Sequence, residues 1–407
     1  MRAHFPGWLL LLGALMAIGP LSIDMYLPAF VAMAEGLGGS RGEIERTLPM
    51  FLAGLAIGQL VYGPISDRFG RRPPLMVGLG IYVLGSLGCA LASDVSTLTA
   101  FRLVQALGGG VGMVVARAVI RDRLDPQASA RAISKLMLVM GLAPILAPLA
   151  GGWMLEVASW RGIFVAQAVF GAICLAWGFA ALVESRPLHS VQPLRLLGAL
   201  RVYAGLATDR RFLLPTLCGG LGMGGMFAYI AGSPFVLIAI YGVDASDYGW
   251  IFGFNALGLI TASQLNGYWL RRFTPMTVLR YTSFVPALAG IGLLLMSLSG
   301  PLPLSMLVTG LFAYVASLGA ITPNTAAIAM APHGRTAGAA SALLGSLSFM
   351  IGMVAGLAVS LLEGRGVLPM ASVMAVCGLL SSVAGRWTLR GAKGSTSTPR
   401  TEAEFFP

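Results

Sequence analysis

Gly58-Gln-Leu-Val-Tyr-Gly-Pro-Ile-Ser-Asp-Arg-Phe-Gly-Arg-Arg72 closes an apolar run and turns it, within a few residues, into a cluster of charge. Gly63 has no side chain to hold a neighbouring helix away, Asp67 stands at the edge of the apolar run, and Gly70 breaks the helix before Arg71 and Arg72. From its residues alone this is a tight turn at a membrane surface, with a carboxylate placed to pair with a basic neighbour. A turn that serves only insertion and stability and a turn that moves are both open at this point.

Around that turn the chain reads as a membrane protein. With 57% hydrophobic and 11% charged residues over 407 positions, and a mean hydropathy of +0.81, it has too little polar surface to cover a soluble globule of its size. Apolar windows of about 20 residues, each enough for one helical crossing, fall near 8–33, 47–66, 74–92, 97–118, 134–156, 162–183, 212–238, 248–268, 276–298, 302–324, 337–361 and 367–387. The longest polar connection, from Glu184 to Arg211, follows the sixth. The expected architecture is an all-α membrane protein of twelve transmembrane helices in two six-helix bundles, at 1–185 and 212–390, with a cytoplasmic linker at 186–211 and a disordered tail at 391–407. The linker carries Arg186, Arg195, Arg201, Arg210 and Arg211 and reads as solvated, or as an interfacial helix against anionic lipid. Glu35 to Arg46 reads as a short polar loop.

The net charge of +11 is a topology signal and implies no nucleic-acid partner. Of the 27 Lys and Arg, only Arg41, Arg46, Arg161 and Arg365 fall in loops opposite the N-terminus, and Arg102 lies within a span. The positive-inside rule therefore places both termini in the cytoplasm. Arg2 ahead of an apolar run imitates a signal peptide, but no small-x-small cleavage site closes that run, so it reads as an uncleaved first span. Cys89, Cys174, Cys218 and Cys377 are scattered through the spans and imply neither a disulfide nor a metal site. The string Gly220-Leu-Gly-Met-Gly-Gly225 matches GxGxxG inside an apolar span with no βαβ context, where close helix packing explains it better than a nucleotide. No cofactor is implied. His4, His189 and His333 fall in inner terminal or loop segments, and the spans hold no Ser/His/Asp, H-x-x-x-H or paired-Cys arrangement, which argues against an embedded enzyme.

Gly19-Pro-Leu-Ser-Ile-Asp-Met-Tyr-Leu-Pro-Ala29 carries the one formal charge between Trp8 and Met33. Asp24 sits roughly 10 Å below the end of its helix, at about 1.5 Å per residue. An ionised carboxylate there is costly unless it faces a wet cavity, pairs with a cation or stays protonated. Pro20 and Pro28 bracket it, and Pro28 cannot donate to the carbonyl of Asp24, so the helix is weakened where the acid sits. Arg102 lies at a similar depth in the fourth span and is the natural partner of Asp24. A snorkelling acid with no role, and an arginine that is only a clamp, are the competing readings.

Gly63, Asp67, Arg68, Gly70, Arg71 and Arg72 satisfy G-x-x-x-D-R-x-G-R-R between the second and third windows, and here the sequence resembles the major facilitator superfamily. In that family the turn is a latch between two halves, which implies a conformational role for Asp67 with a basic partner such as Arg117. Arg102 and Gln105 resemble the family's R-x-x-Q-x-x-G motif, linked there to proton transfer, although Ala106 stands where Gly is usual. Gly141, Pro144, Pro148, Gly151 and Gly152 resemble the G-P-x-x-G-G signature of antiporters, with Ala147 replacing the first Gly, and imply exchange. Without the family, the same residues give a bent helix with a bare packing face. Trp160-Arg-Gly-Ile-Phe164 resembles the family's opening of span 6. In the second half Gly267, Arg272 and Phe273 match Gly63, Arg68 and Phe69 while Arg271 replaces Asp67, a degraded copy of the kind parallel halves leave. Asp24-Met-Tyr-Leu-Pro-Ala29, Pro323-Asn324 and Gly338-Ala-Ala-Ser-Ala-Leu-Leu-Gly345 resemble the bicyclomycin and chloramphenicol resistance branch of drug/proton antiporters.

That resemblance implies proton-driven export of small amphipathic drugs across a bacterial inner membrane by a monomer, with Asp24 and Arg102 as coupling residues. A superfamily transporter of a metabolite such as a sugar or nucleoside is the alternative. The cavity is expected to be mostly apolar, with Tyr26, Gln105, Tyr229, Asn255 and Asn324 as polar contacts. Expected partners are the bilayer, the drug and protons.

Overall fold

A backbone in hydrocarbon must satisfy its own hydrogen bonds, and this chain does so with helices. The computed structural model describes residues 7–185, 196–362 and 366–394, among which no strand occurs. The order is α1 Gly7–Asp24, a 3-10 turn Leu27–Ala29, α2 Phe30–Leu37, α3 Arg41–Glu45, α4 Thr47–Phe69, α5 Arg72–Ala90, α6 Val95–Arg123, α7 Pro126–Val157, α8 Trp160–Ala181 and α9 Leu196–Thr208. Then come α10 Arg210–Pro234, a π-helical stretch Phe235–Ile240, α11 Ala245–Trp269, α12 Pro275–Thr282, α13 Val285–Ser299, α14 Leu304–Met330, α15 Ala337–Leu361 and α16 Leu368–Gly394. Eleven helical segments among the described residues are long and apolar enough to cross a bilayer. α11 is 25 residues long yet is not among them, because Asn255, Gln264 and Asn266 dilute its apolar content.

The long helices alternate in direction. One end, called here the terminal end, carries Gly7, Gly70 and Gly394; the opposite, far end carries Gly38, Leu91 and Leu361. The N-terminal helices meet the C-terminal ones along two seams, α4 on α15 and α7 on α11. The α7/α11 seam depends on missing side chains. A Cβ on Gly152 would stand 2.8 Å from the carbonyl oxygen of Ala245, and one on Gly249 2.8 Å from Leu149 N. At the far end a continuous apolar cluster joins Tyr26, Phe30 and Phe51 to Phe235, Tyr248 and Val236 of the other half, so the two halves are closed together there. The Gly220–Gly225 string packs α10 against α14 and α15, with Tyr314 and Ile351 filling the space beside its glycines.

Three expectations are corrected. Gly63 faces open space, with no atom within 4 Å of a would-be Cβ, so it is no helix contact, and α4 continues through Pro64 to Phe69. The polar loop expected at 35–46 is largely helical, because Ser40 and Glu43 form a reciprocal capping box that starts α3. In the linker, for which a helix is one of two expected forms, α9 is present, while the first part, with Arg186, His189 and Arg195, lies outside the described residues. α16 runs to Gly394, into the stretch expected to be disordered, and the rest of that tail, like His4 and Arg365, lies outside the described residues. Gly70 does end α4, at φ +86, a conformation that glycine adopts without strain.

Candidate functional site

α1 stops at Asp24, and the chain passes through Met25 and Tyr26 into the Leu27–Ala29 turn. Pro28 supplies no N–H to the Asp24 carbonyl, so the break falls where the proline dictates. Asp24 is 3% exposed and lines a cavity of ≈ 220 Å³ between the halves. It has no hydrogen-bond or ion-pair partner among the described residues. Around it stand Met113, Met140, Met223 and Met226, with Phe227, Phe252 and Phe349. Such soft, adjustable walls accept varied apolar shapes. Facing the acid, Tyr229 stacks on Phe252 with ring centroids 5.5 Å apart and accepts a hydrogen bond from Asn255 Nδ2 at 3.0 Å. The other amide atom of Asn255, Oδ1, has no partner. Tyr229 and Tyr248 both lie within electrostatic range of Asp24.

Arg102 is fully buried, and its partners are not the expected one. Nη1 donates to Gln105 Oε1 at 2.7 Å and Nη2 to the carbonyl of Ser22 at 3.0 Å. The guanidinium lies 4.0 Å from the ring centroid of Tyr26 and 4.1 Å from that of Phe51. The pairing of Arg102 with Asp24 expected from the sequence is therefore absent. The reason is the break in α1: its last carbonyls lose their intrahelical donors, and the negative end of the helix dipole offers the cation a partner that is already buried. Gln105 Nε2 donates in turn to Ser86 Oγ and to Gln167 Oε1, both at 2.8 Å, while Ser22 Oγ and the Tyr82 hydroxyl share a 2.8 Å bond. Arg102 thus holds the end of α1, two residues before Asp24, without touching the acid.

At the terminal end Arg71 is the hub. It donates to Asp67 Oδ1 and to Asp122 Oδ2, each at 2.7 Å. Glu184 accepts from the backbone N–H of Arg71 at 2.9 Å and of Arg72 at 3.0 Å, capping the start of α5 with negative charge. Arg72 donates to the carbonyl of Phe179 at 2.7 Å, and Arg68 lies over Phe69. Arg117, expected opposite Asp67, is turned instead toward Gln59 at 3.3 Å and, across the seam, Ser341 at 3.4 Å. Arg71, only four residues on, meets Asp67 across the Gly70 break between α4 and α5, whereas Arg117 lies on α6 beside the interior of α4. Of the G-P-x-x-G-G-like residues, Pro144 lines the cavity, Gly151 packs on the carbonyl of Met25, Gly152 packs on the start of α11 and Gly141 faces Ile260. Pro148 lies within α7 between them.

Of the five expected cavity contacts, Tyr229 and Asn255 line it. Tyr26, Gln105 and Asn324 do not. Tyr26 is spent on Arg102 and on Thr47 Oγ1 at 3.2 Å, Gln105 on the network just described, and the Nδ2 of Asn324 on Asn266 Oδ1 at 2.6 Å, its Oδ1 staying bare away from the cavity. Each finds a polar partner within its own half, which is what an amide or phenol in an apolar span must do first. Unforeseen were Ser22, Tyr82, Gln167, Asp122 and Glu184. Gln167 inside an apolar window and two acids among the arginines at span ends were the available signals.

A family model described as Major Facilitator Superfamily matches residues 10–357. The chain is 35% identical to an uncharacterized MFS-type transporter, YdgK, of Bacillus subtilis over 92% of this chain and 93% of that one. It is 31% identical to a bicyclomycin resistance protein homolog of Haemophilus influenzae over 93% and 94%, and 30% identical to the multidrug resistance protein MdtL of Escherichia coli over 69% and 71%. Its fold is similar to that of a bacterial homolog of the human lysosomal transporter Spinster in an inward-facing, unoccupied conformation, with a TM-score of 0.71 at 15% identity over 99% and 100% of the two chains.

Proposed function

Because the chain belongs to the Major Facilitator Superfamily, in its bicyclomycin and chloramphenicol resistance branch, we propose that it is a drug/proton antiporter exporting small amphipathic compounds across a bacterial inner membrane. It acts as a monomer of twelve spans, with α11 as the span too polar to stand out, in two halves at 1–185 and 212–390 joined by the linker at 186–211. The terminal end faces the cytoplasm.

The observation that carries this reading is Asp24, a carboxylate left without a partner on the wall of a cavity to which both halves contribute. In the outward-facing state water reaches the acid and supplies a proton; after the switch the acid releases it inward and a drug takes the space. Charging the carboxylate is tolerated only while the cavity is wet, so the two ligands alternate. One charge moving down 100 mV is worth about 2.3 kcal/mol, roughly fiftyfold in drug concentration. Arg102 is a positioning residue that holds the end of α1. Arg71, with Asp67, Asp122 and Glu184, forms the latch at the cytoplasmic end, to which Gly63, Arg68, Gly70, Arg72 and Arg117 belong by motif or by place. Gly141, Pro144, Pro148, Gly151 and Gly152 let α7 slide against α11.

The test is drug uptake into everted vesicles driven by a proton gradient. Asp24→Asn, at parental expression, is expected to abolish accumulation while leaving downhill drug exchange intact. Undiminished gradient-driven uptake by Asp24→Asn would sink the assignment. A panel that includes sugars and nucleosides decides between drugs and a metabolite.

A further inference from the structure

At the far end of the seam, the N-terminal half presents α3 and the start of α4 to α15 of the other half. A Cβ on Gly42 would lie 2.6 Å from the Ser360 carbonyl oxygen, and one on Gly356 2.8 Å from Pro49 Cγ. Arg46 keeps helical dihedrals (φ −65, ψ −20) between α3 and α4. Glu45, three residues after Gly42 and four before Pro49, therefore lies on the face that α15 covers. Its side chain is 2% exposed, and its one hydrogen bond is from Arg41 Nε at 2.8 Å. Arg41 also stands over the Phe235 ring of the other half, 5.5 Å from its centroid.

Among the described residues the other charges around Glu45 are few. Glu43 is exposed and bonded to Ser40, Arg46 is exposed, and α2 carries only the exposed Glu35. α15 has no Asp, Glu, Lys, Arg or His along its length, nor has the Phe235–Ile240 stretch. α4 has none before Asp67, at its opposite end.

We propose that Glu45 is a second proton-binding site of the transporter, loaded from the far side, and that its protonation accompanies closure of the far end. Arg41 sits on the same helix, so it stays with Glu45 whether the halves are together or apart. What changes is water. Parting α3 from α15 solvates the carboxylate; closing them removes that water and brings no new donor among the described residues, which disfavours the charged form in the closed state. The proton is therefore bound more tightly when the far end is shut. Acid on that side drives closure, and alkali opens it. This rests on the alternating halves of the proposed transporter but not on the coupling role of Asp24.

The experiment places spin labels at Glu35→Cys and Asp244→Cys, exposed positions on opposite halves of the far end, in Asp24→Asn protein in nanodiscs; the native cysteines are all buried. Distance distributions are read across pH. The short-distance population should grow on acidification, and Glu45→Gln should hold it high at every pH. Arg41→Gln should move the midpoint upward by about one pH unit or more, because a nearby cation lowers a carboxyl pKa by that order. A Glu45→Gln protein that follows pH like its parent overturns the proposal. So does loss of the response in Asp24→Asn alone, which would assign it to Asp24. Should Glu45→Gln not fold, the Arg41→Gln midpoint decides, and an unmoved midpoint overturns it. Uptake that stays coupled in Asp24→Asn vesicles would defeat the coupling role of Asp24 and leave this proposal standing.

Discussion

Asp24 and Arg102 are opposite charges buried in the same half, and the protein treats them in opposite ways. Arg102 has two aromatic faces, a side-chain acceptor and a helix-end carbonyl; Asp24 has a cavity and no partner among the described residues. Arg102 keeps one bare atom, its buried Nε, but a buried charge held by this many contacts rigidifies what it touches. A buried charge supplied with none must change its protonation or its solvent to persist, and that makes it available for work. The contrast also explains why they do not pair. An ion pair between them would satisfy both and leave the cavity without a titratable group.

The contrast breaks most visibly if the two are exchanged in their effects. Arg102→Met should lower stability by about 3 kcal/mol, since two buried acceptors lose charged donors, read as a drop in thermal unfolding temperature in detergent. Asp24→Asn should leave that temperature unchanged or raised while coupled transport is lost. A destabilised Asp24→Asn beside a stable Arg102→Met would reverse the assignment of roles. Arg71 extends the comparison to a second satisfied cation. Arg71→Gln should cost about 1–2 kcal/mol, discounted because Asp67 is half exposed, and should slow turnover while drug affinity holds. Unchanged turnover would remove the latch from the proposed function.

Asn255 is intermediate, with one amide atom paired and one bare. Asn255→Leu is expected to weaken binding of compounds bearing polar groups by about fivefold, the worth of one net hydrogen bond of ~1 kcal/mol, measured by equilibrium binding. Equal loss for wholly apolar compounds would mean that packing, not polarity, is what Asn255 supplies. The smallest effect belongs to Gly63, where the sequence suggests a close contact and the structure has open space. Gly63→Ala should be neutral or stabilising by up to about 1 kcal/mol, whereas Gly151→Ala should lower both stability and transport because its methyl group meets the carbonyl of Met25.

Much of the site was legible in outline. The break at Asp24 follows from Pro28, and a lone acid in an apolar run announces itself by its cost. The turn at Gly70 needed a residue tolerant of positive φ, and glycine was there. What misled was depth. Asp24 and Arg102 fall at similar distances from their helix ends, but depth says nothing about the direction in which a side chain leaves its helix, and Arg102 leaves toward Ser22 and Tyr26. Likewise, Tyr26, Gln105 and Asn324 looked as available to a ligand as Tyr229 and Asn255. The first three have neighbours within their own half, and only packing reveals that. Glu45 was read as part of a polar loop. Its burial exists only because α15, nearly three hundred residues later in the chain, is laid over it.

The sequence alone determined that this chain lives in a bilayer, that it is helical, where most crossings begin and end, and to which family it belongs. Hydrophobic length, proline and charge placement act within one helix turn or one span and so can be read in order along the chain. The tertiary structure alone decided which buried polar groups are satisfied and which stand open. A hydrogen bond or an ion pair is settled over a few ångströms between helices far apart in sequence, and no spacing along one helix encodes its partner on another.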